Sequence, residues 1–308
     1  MREFLLRLSE NKRLAPLIMA NGVSRRVAQR FVAGEKLEDA LAAANVVNRS
    51  LKLASLDLLG ENVSDEAGAR AAAVGYRAIF DRIAAERLDA NVSLKLTQLG
   101  LDLSEDLCQE LLEGIVQHAA ELGNFVRVDM EGSAYTQRTV DLTKRVRTEF
   151  SAVGTVMQAY LYRAEQDVRD LLAAGCRMRL CKGAYKEPPE VAFPKKADVD
   201  ANYVKLMKLL LPSGIYHGIA THDPAMIQAT KDFARDQNIT SDKFEFQMLY
   251  GIRTDLQDAL VREGFRVRVY IPYGTDWFPY FMRRLAERPA NVTFFLRSLL
   301  PRAGNGAQ

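Results

Sequence analysis

Two closely spaced pairs of cations frame the chemistry this chain can perform. Arg179 and Lys182 lie three residues apart in RLCKGAY, beside Gly183 and Ala184. Cations flanked by small residues suit a phosphate, or an electron-rich ring that must accept negative charge, because backbone can approach closely. The competing reading is an ion pair of Arg179 with Asp129 or Glu131, since structural networks gather charge as well. Arg283 and Arg284 are neighbours in YFMRRLAE. Adjacent helical side chains diverge by about 100°, so both meet one carboxylate only if the helix caps a pocket end-on. Otherwise they form a solvated basic face with Arg288. His222, in ATHDP, is a candidate base, although a lone histidine at a strand end more often serves as a hydrogen-bonding fixture. Trp277 and Phe278 read as core.

These residues recur at one place in a repeating pattern. Short β-branched or apolar runs cover 52–59, 91–96, 125–130, 155–161, 178–183, 218–222, 244–249 and 266–271. Longer helix-like stretches separate them, among them 65–87, 105–121, 137–149, 165–174 and 224–237. Eight strands alternating with helices predict parallel βαβ units closed into a (β/α)8 barrel. An open doubly wound sheet is disfavoured because no GxGxxG opens a helix. Residues 1–48 read as a helical arm, on the stripe Leu5, Leu6, Leu8 and Leu14 and a second of Val27, Phe31 and Val32. A last helix is expected over 277–287, then an apolar run over 291–300. We expect one domain over 1–308.

Each strand carries polar residues toward its C-terminal end: Glu61 after the first, Lys95 on the second, and Arg127, Asp129 and Glu131 on the third. Gln158 follows on the fourth, Arg179 and Lys182 on the fifth, and Thr221 and His222 on the sixth. The seventh bears Glu245 and Gln247, and the eighth Tyr270 and Tyr273. A charge in an apolar strand loses hydration and needs a partner or a ligand. One such residue could be a satisfied core ion pair. Eight in series predict a polar ring around one pocket at the catalytic face of the barrel.

Bulk properties narrow the class. Of 308 residues, 48% are hydrophobic and 26% charged, with a formal net charge of +3 and a mean hydropathy of −0.14. Lysine and arginine are spread along the chain, which argues against nucleic-acid binding. No apolar run approaches the roughly 20 residues a spanning helix needs, and MREFLLRLSENKR lacks a secretory h-region, so the cytoplasm is the expected compartment. Cys108, Cys176 and Cys181 form no CxxC pair and, with only three histidines, no metal cluster. They are expected to be reduced thiols, and no metal site is expected.

The ordered motifs VSLKL (92–96), VRVDMEG (126–132), TVMQAYLYR (155–163), RLCKGAY (179–185), ATHDP (220–224), FEFQMLYG (244–251) and VYIPYG (269–274), followed by RRLAE (283–287), resemble proline dehydrogenase. The resemblance extends across 53–298, and the length is similar to that of short monofunctional bacterial members. It leaves no room for the aldehyde dehydrogenase and DNA-binding domains of proline utilization A, so a separate aldehyde dehydrogenase would act next. The resemblance implies FAD as cofactor, L-proline as substrate, Δ1-pyrroline-5-carboxylate as product and a quinone as electron acceptor, with room for peripheral membrane contact. It places Lys95, Arg283 and Arg284 on the substrate carboxylate, and Tyr185, Leu249 and Tyr270 around the ring, where Tyr270 would disfavour an added hydroxyl. Flavin contacts fall on Met130, Gln158, Arg179, Lys182, Gly183, Ala184, Thr221, His222 and Gln247. Asp129 and Arg179 are the implied catalytic pair, and Glu61, in LLGEN, would gate the site by pairing with Arg283. The last helix would lie over the barrel mouth. Cys181 stands where valine is more usual in the family, a change that touches no chemistry.

Two points stay open at the level of sequence. Asp129 either takes the amine proton or orients Arg179 or Lys95, and orientation is the favoured reading. A metal-dependent or Schiff-base aldolase or lyase would also ring its mouth with Lys, Asp and Glu, with Lys95 as the nucleophile.

Overall fold

The computed structural model describes residues 28–287. Eight strands pair in parallel, each with its neighbours in sequence, and β1 (Leu53–Leu58) closes on β8 (Val267–Tyr273) to complete a barrel. Between them run β2 (Ala90–Leu94), β3 (Val126–Val128), β4 (Val153–Gln158), β5 (Arg177–Cys181), β6 (His217–Ala220) and β7 (Phe244–Leu249). All eight predicted strands exist, with ends displaced by a few residues. Lys95, Asp129, Lys182 and Thr221 therefore sit just past the C-terminal ends of their strands.

Along the strands the period-2 alternation of side chains separates two environments. Ala54, Leu56, Val92, Leu94, Val269 and Ile271 face the surrounding helices and join one core cluster. Their alternates include Ser55, Asp57, Ser93, Arg268 and Tyr270, which turn inward. The interior is thus a polar stack, and hydrogen bonds satisfy most of it, as burial requires. Ser55 and Ser93 hydroxyls meet at 3.1 Å, and Arg268 Nε donates to Glu245 Oε1 at 2.7 Å.

The outer helices are α1 (Leu37–Arg49), α2 (Glu66–Ala85), α3 (Glu105–Glu121), α4 (Ser133–Glu149), α5 (Ala164–Ala173), α6 (Lys196–Leu210), α7 (Pro224–Asp236) and α8 (Thr254–Arg262). Their starts follow from local chemistry. Asp65 caps α2 by accepting from Gly68 N, Ser104 caps α3 by accepting from Leu107 N, and Asp223 caps α7 ahead of Pro224 at its first position. Helix α1 packs on β1 and β8 through Ala40, Leu41, Ala44 and Val47, the place where a barrel's eighth helix would otherwise lie.

That frees α9 (Trp277–Glu287) for another position. Trp277, Phe278, Phe281 and Met282 form a cluster with Ala28, Phe31, Val32, Leu59 and Ile252, so the helix rests on the loops at the C-terminal end of the barrel. Trp277 and Phe278 are core, as the sequence suggested. The expected helical arm is borne out over Leu37–Arg49, but 29–36 are turn and coil, so Phe31 and Val32 reach the last helix from a loop rather than as a helical stripe. The earlier part, with Leu5, Leu6, Leu8, Leu14 and Val27, lies outside the described residues, as do Arg288 and the apolar run 291–300.

Candidate active site

A cavity of about 390 Å³ opens under α9, within the range of small-molecule sites. Every predicted site residue except Glu61 lines it. Glu61 stands behind, accepting from Arg283 Nη2 at 3.1 Å.

Arg179 is the centre of the floor. Its Nη1 donates to Asp129 Oδ1 at 2.7 Å, its Nη2 to Ser93 Oγ at 3.1 Å, and its Nε to Gln247 Oε1. The Tyr270 hydroxyl donates to the other Asp129 oxygen at 2.7 Å, and the Tyr270 ring lies 5.1 Å from the guanidinium. Asp129 is therefore engaged at both oxygens by donors fixed in the barrel wall. Of the two partners that the sequence left open for Arg179, the structure chooses Asp129. Glu131 turns away and accepts from Thr97 N and Thr97 Oγ1, at 3.2 and 2.7 Å, and burial pushes its carboxyl up to about 7.

Lys95 approaches from the side, its Nζ 3.1 Å from Asp57 Oδ1, with side chains only 7% and 1% exposed. Burial works against its charge, but Asp57 and then Asp129 hold its pKa well above the ordinary lysine value. A protonated lysine is a carboxylate ligand and a poor Schiff-base nucleophile. Burial raises the Asp57 carboxyl, and Asp57 Oδ2 is buried with no hydrogen-bond partner among the described residues. Sequence reasoning missed Asp57, although a lone acid in the apolar run LASLDLL was a signal.

The roof carries the other two cations. Arg283 lies with its guanidinium 5.8 Å from the Tyr185 ring. Burial opposes its charge and the Glu61 carboxylate restores it, so its pKa stands above the ordinary arginine value. Arg284 is only 8% exposed and stacks 5.1 Å from Tyr280. Because α9 lies across the mouth, both arginines line the cavity despite their divergence; a solvated basic face is not what forms.

The remaining predicted residues surround the rest of the cavity. Gln158 Nε2 donates to the Met130 carbonyl at 3.3 Å, while its Oε1 is buried without a partner among the described residues. Such an orphaned acceptor suits a ligand N–H. Gly183 has φ +121°, and a Cβ there would lie 2.6 Å from the Tyr160 ring. Gly218 leaves room for the Gln247 amide, which a Cβ would meet at 2.3 Å. Thr221 Oγ1 accepts from Asp223 N. His222 Nε2 accepts from Leu249 N at 2.9 Å, the fixture that its strand-end position suggested rather than a base. Lys182 stands at the rim, donating to Asp200 at 2.5 Å and Asp223 at 2.7 Å, so any anion it binds shares it with two carboxylates.

Besides Glu131, three members of the predicted polar ring belong elsewhere. Tyr273 falls on the same face of β8 as Val269 and Ile271 and packs into the helix-facing core, and the other two lie deeper in the barrel. Arg127 and Glu245 line a second cavity, at the opposite end of the barrel. Residues two apart on a strand share a face but are separated by about 6.6 Å along it. Arg127 therefore lies one layer below Asp129, and Glu245 one layer below Gln247. Cys108 and Cys176 are buried free thiols and Cys181 is partly buried. Among the described residues no group of three or more His, Cys, Asp or Glu is arranged to hold a metal ion, and no helix is long and apolar enough to cross a membrane.

Comparison with known proteins places the chain in a family. The family described as Proline dehydrogenase matches residues 40–297. Proline dehydrogenase 1 of Bacillus subtilis (strain 168) is 45% identical over 300 residues, covering 97% of this chain and 99% of that protein. Proline dehydrogenase of Deinococcus radiodurans is 42% identical over 279 residues, covering 89% and 90%. Among solved structures, proline utilization A from Bdellovibrio bacteriovorus, inactivated by N-propargylglycine, superposes with a TM-score of 0.82 at 27% identity. It covers 92% of this chain, which spans 34% of that much longer one. The motifs, the barrel and the full-length likeness agree, and the chain belongs to the proline dehydrogenase family.

Proposed function

We propose that this chain oxidises L-proline to Δ1-pyrroline-5-carboxylate with FAD as its cofactor, the electrons passing on to a quinone. The observation that carries the reading is the convergence of three buried or half-buried cations, Lys95, Arg283 and Arg284, on one cavity whose floor is the Arg179–Asp129–Gln247 network. Three cations at one end suit a carboxylate. The floor suits an electron-rich ring.

The residues present fit a flavin. Gln158 Oε1, unpartnered among the described residues, offers an acceptor for a ring N–H, Gly183 and Ala184 give close backbone approach, and Arg179 contributes a fixed positive charge. Met130, Thr221, His222 and Gln247 complete the wall, with Lys182 at the rim. FAD, when bound, supplies the hydride acceptor.

The chain's own part is binding, orientation and exclusion of water. Lys95, Arg283 and Arg284 hold the carboxylate through charge-assisted contacts of about 1.5–3 kcal/mol each before desolvation. Tyr185, Leu249 and Tyr270 enclose the pyrrolidine ring and fix which carbon faces the cofactor. Asp129, engaged by Arg179 and Tyr270, positions those two groups and does not act as the base, so proline reacts as its neutral amine. Glu61 draws Arg283 across the entrance and closes it. The protonated state of Lys95 argues against the Schiff-base alternative. An anaerobic titration of the holoenzyme with L-proline is expected to bleach the flavin stoichiometrically; unchanged absorbance overturns the proposal.

A further inference from the structure

The second cavity, of about 370 Å³, lies at the N-terminal ends of the strands, one layer of side chains below the floor described above. Four arginines line it: Arg87, Arg127, Arg177 and Arg268. Two carboxylates oppose them, which leaves the arginines in excess even though the Glu245 charge reaches Arg127 and Arg177 through space. Glu245 is saturated by Arg268 Nε at 2.7 Å, Gln247 Nε2 at 2.5 Å and the Tyr216 hydroxyl at 3.0 Å. Asp89 is exposed at the rim.

Arg127 and Arg177 are the unusual pair. Arg127 is 4% exposed; its Nη1 donates to the carbonyls of Thr155 and Arg177, and its Nε is buried with no partner among the described residues. The Arg177 guanidinium lies against ring faces, Phe125 at 4.6 Å and Tyr216 at 5.1 Å, and among the described residues no hydrogen bond ties it to a carboxylate or carbonyl. Arg127 also stands 4.9 Å from the same Phe125 ring. Burial, then repulsion from Arg179, pushes Arg127 down to about 9, a penalty that a bound anion relieves. Buried cations are normally paired.

We propose that this cavity is a binding site for a small divalent oxyanion, a phosphate or a dicarboxylate, held by Arg127 and Arg177 with Arg87 at the entrance. Guanidinium forks match both oxyanion geometries, and the flanking rings hold the forks in place. The site is distinct from the proline pocket and does not depend on how that pocket is read.

The test uses the full chain with its flavin bound. Its thermal midpoint is followed against sodium phosphate or sodium succinate, with sodium chloride at equal ionic strength and pH as the baseline. A ligand that binds only the folded state raises the midpoint with the logarithm of its concentration. We expect this for phosphate, succinate or both, and the responding ion names the source. Arg177→Gln is expected to need at least about tenfold more of that ion, the loss of one charged contact. Arg127→Met is expected to do the same if it folds; Arg177, half-buried and bonded to no acceptor, keeps the test open if it does not. Arg283→Met, altered at the mouth, retains the response. No stabilisation beyond chloride, an unchanged response in Arg177→Gln, or a response lost in Arg283→Met overturns the proposal.

Discussion

Replacing Asp129 with asparagine separates the two roles an active-site aspartate can play. In the structure Asp129 accepts from Arg179 at 2.7 Å and from Tyr270 at 2.7 Å. Asparagine keeps the shape, but its single oxygen satisfies one donor and its amide faces the other. The loss is one charge-assisted hydrogen bond, about 1.5–3 kcal/mol, or roughly 10- to 150-fold in rate at 1.4 kcal/mol per decade. Because the group works through Arg179 and Tyr270, the fall is expected in the flavin-reduction rate, with proline affinity changed little. Stopped-flow reduction by L-proline across pH is the assay. The acid limb, set by proline's own ammonium, is expected to persist in Asp129→Asn. If that limb disappears while the residual rate becomes independent of pH, Asp129 is the proton acceptor, and the argument from its two occupied oxygens is wrong. Asp129→Ala goes further, leaving Arg179 uncompensated in the barrel, and is expected to cost about 3–5 kcal/mol of stability by denaturant unfolding.

Arg284→Met is expected to raise the proline KM by roughly tenfold or more with flavin still bound, the worth of one charged contact; a KM near wild type removes Arg284 from the substrate site. Glu61→Ala releases Arg283 and is expected to change the rate of flavin reduction, and an unaltered rate discards the gate. Lys95→Met strands Asp57, whose second oxygen already lacks a partner among the described residues, and is expected to lose about 3–5 kcal/mol of stability, which Lys95→Met with Asp57→Leu largely restores. Equal losses in the single and double variants contradict the pairing. Burial lifts Glu131 to about 7 from an ordinary 4.5, so its folded-state pKa exceeds its unfolded one and its ionisation costs stability as pH rises through that window. Glu131→Gln is therefore expected to narrow the gap in thermal midpoint between about pH 5 and pH 8 by on the order of 5 °C; a gap as wide as wild type's refutes the assignment.

How far the sequence reached depended on which physical signal each residue carried. Strand number and helix alternation were legible because β-branched runs and 3.6-residue patterns are local. The helices Lys196–Leu210 and Thr254–Arg262 were not named, and the first begins in 188–200, which carries no recognisable motif. The lining of the cavity was legible through motifs at strand ends. What failed was depth: Arg127 and Asp129 share an inward face, and nothing in VRVDMEG says that 6.6 Å, about two residues of rise, carries one to the mouth and the other to the far end. Asp57 escaped for the related reason that its partner, Lys95, lies 38 residues away. The position of α9 was likewise invisible to periodicity, since α1 had first to take the slot beside β8.

That substitution of one helix for another divides the machine into parts that can change separately. The walls around the proposed flavin are barrel strands, each locked by pairing on both sides. Two of the three cations proposed for the acid group, Arg283 and Arg284, ride on a helix joined to β8 through 274–276 and seated mainly by aromatic packing, while the third, Lys95, stays with the barrel. On the proposed function, substitutions in that helix would alter which small amine is admitted while the barrel floor keeps its shape. New substrate preferences should therefore arise there first.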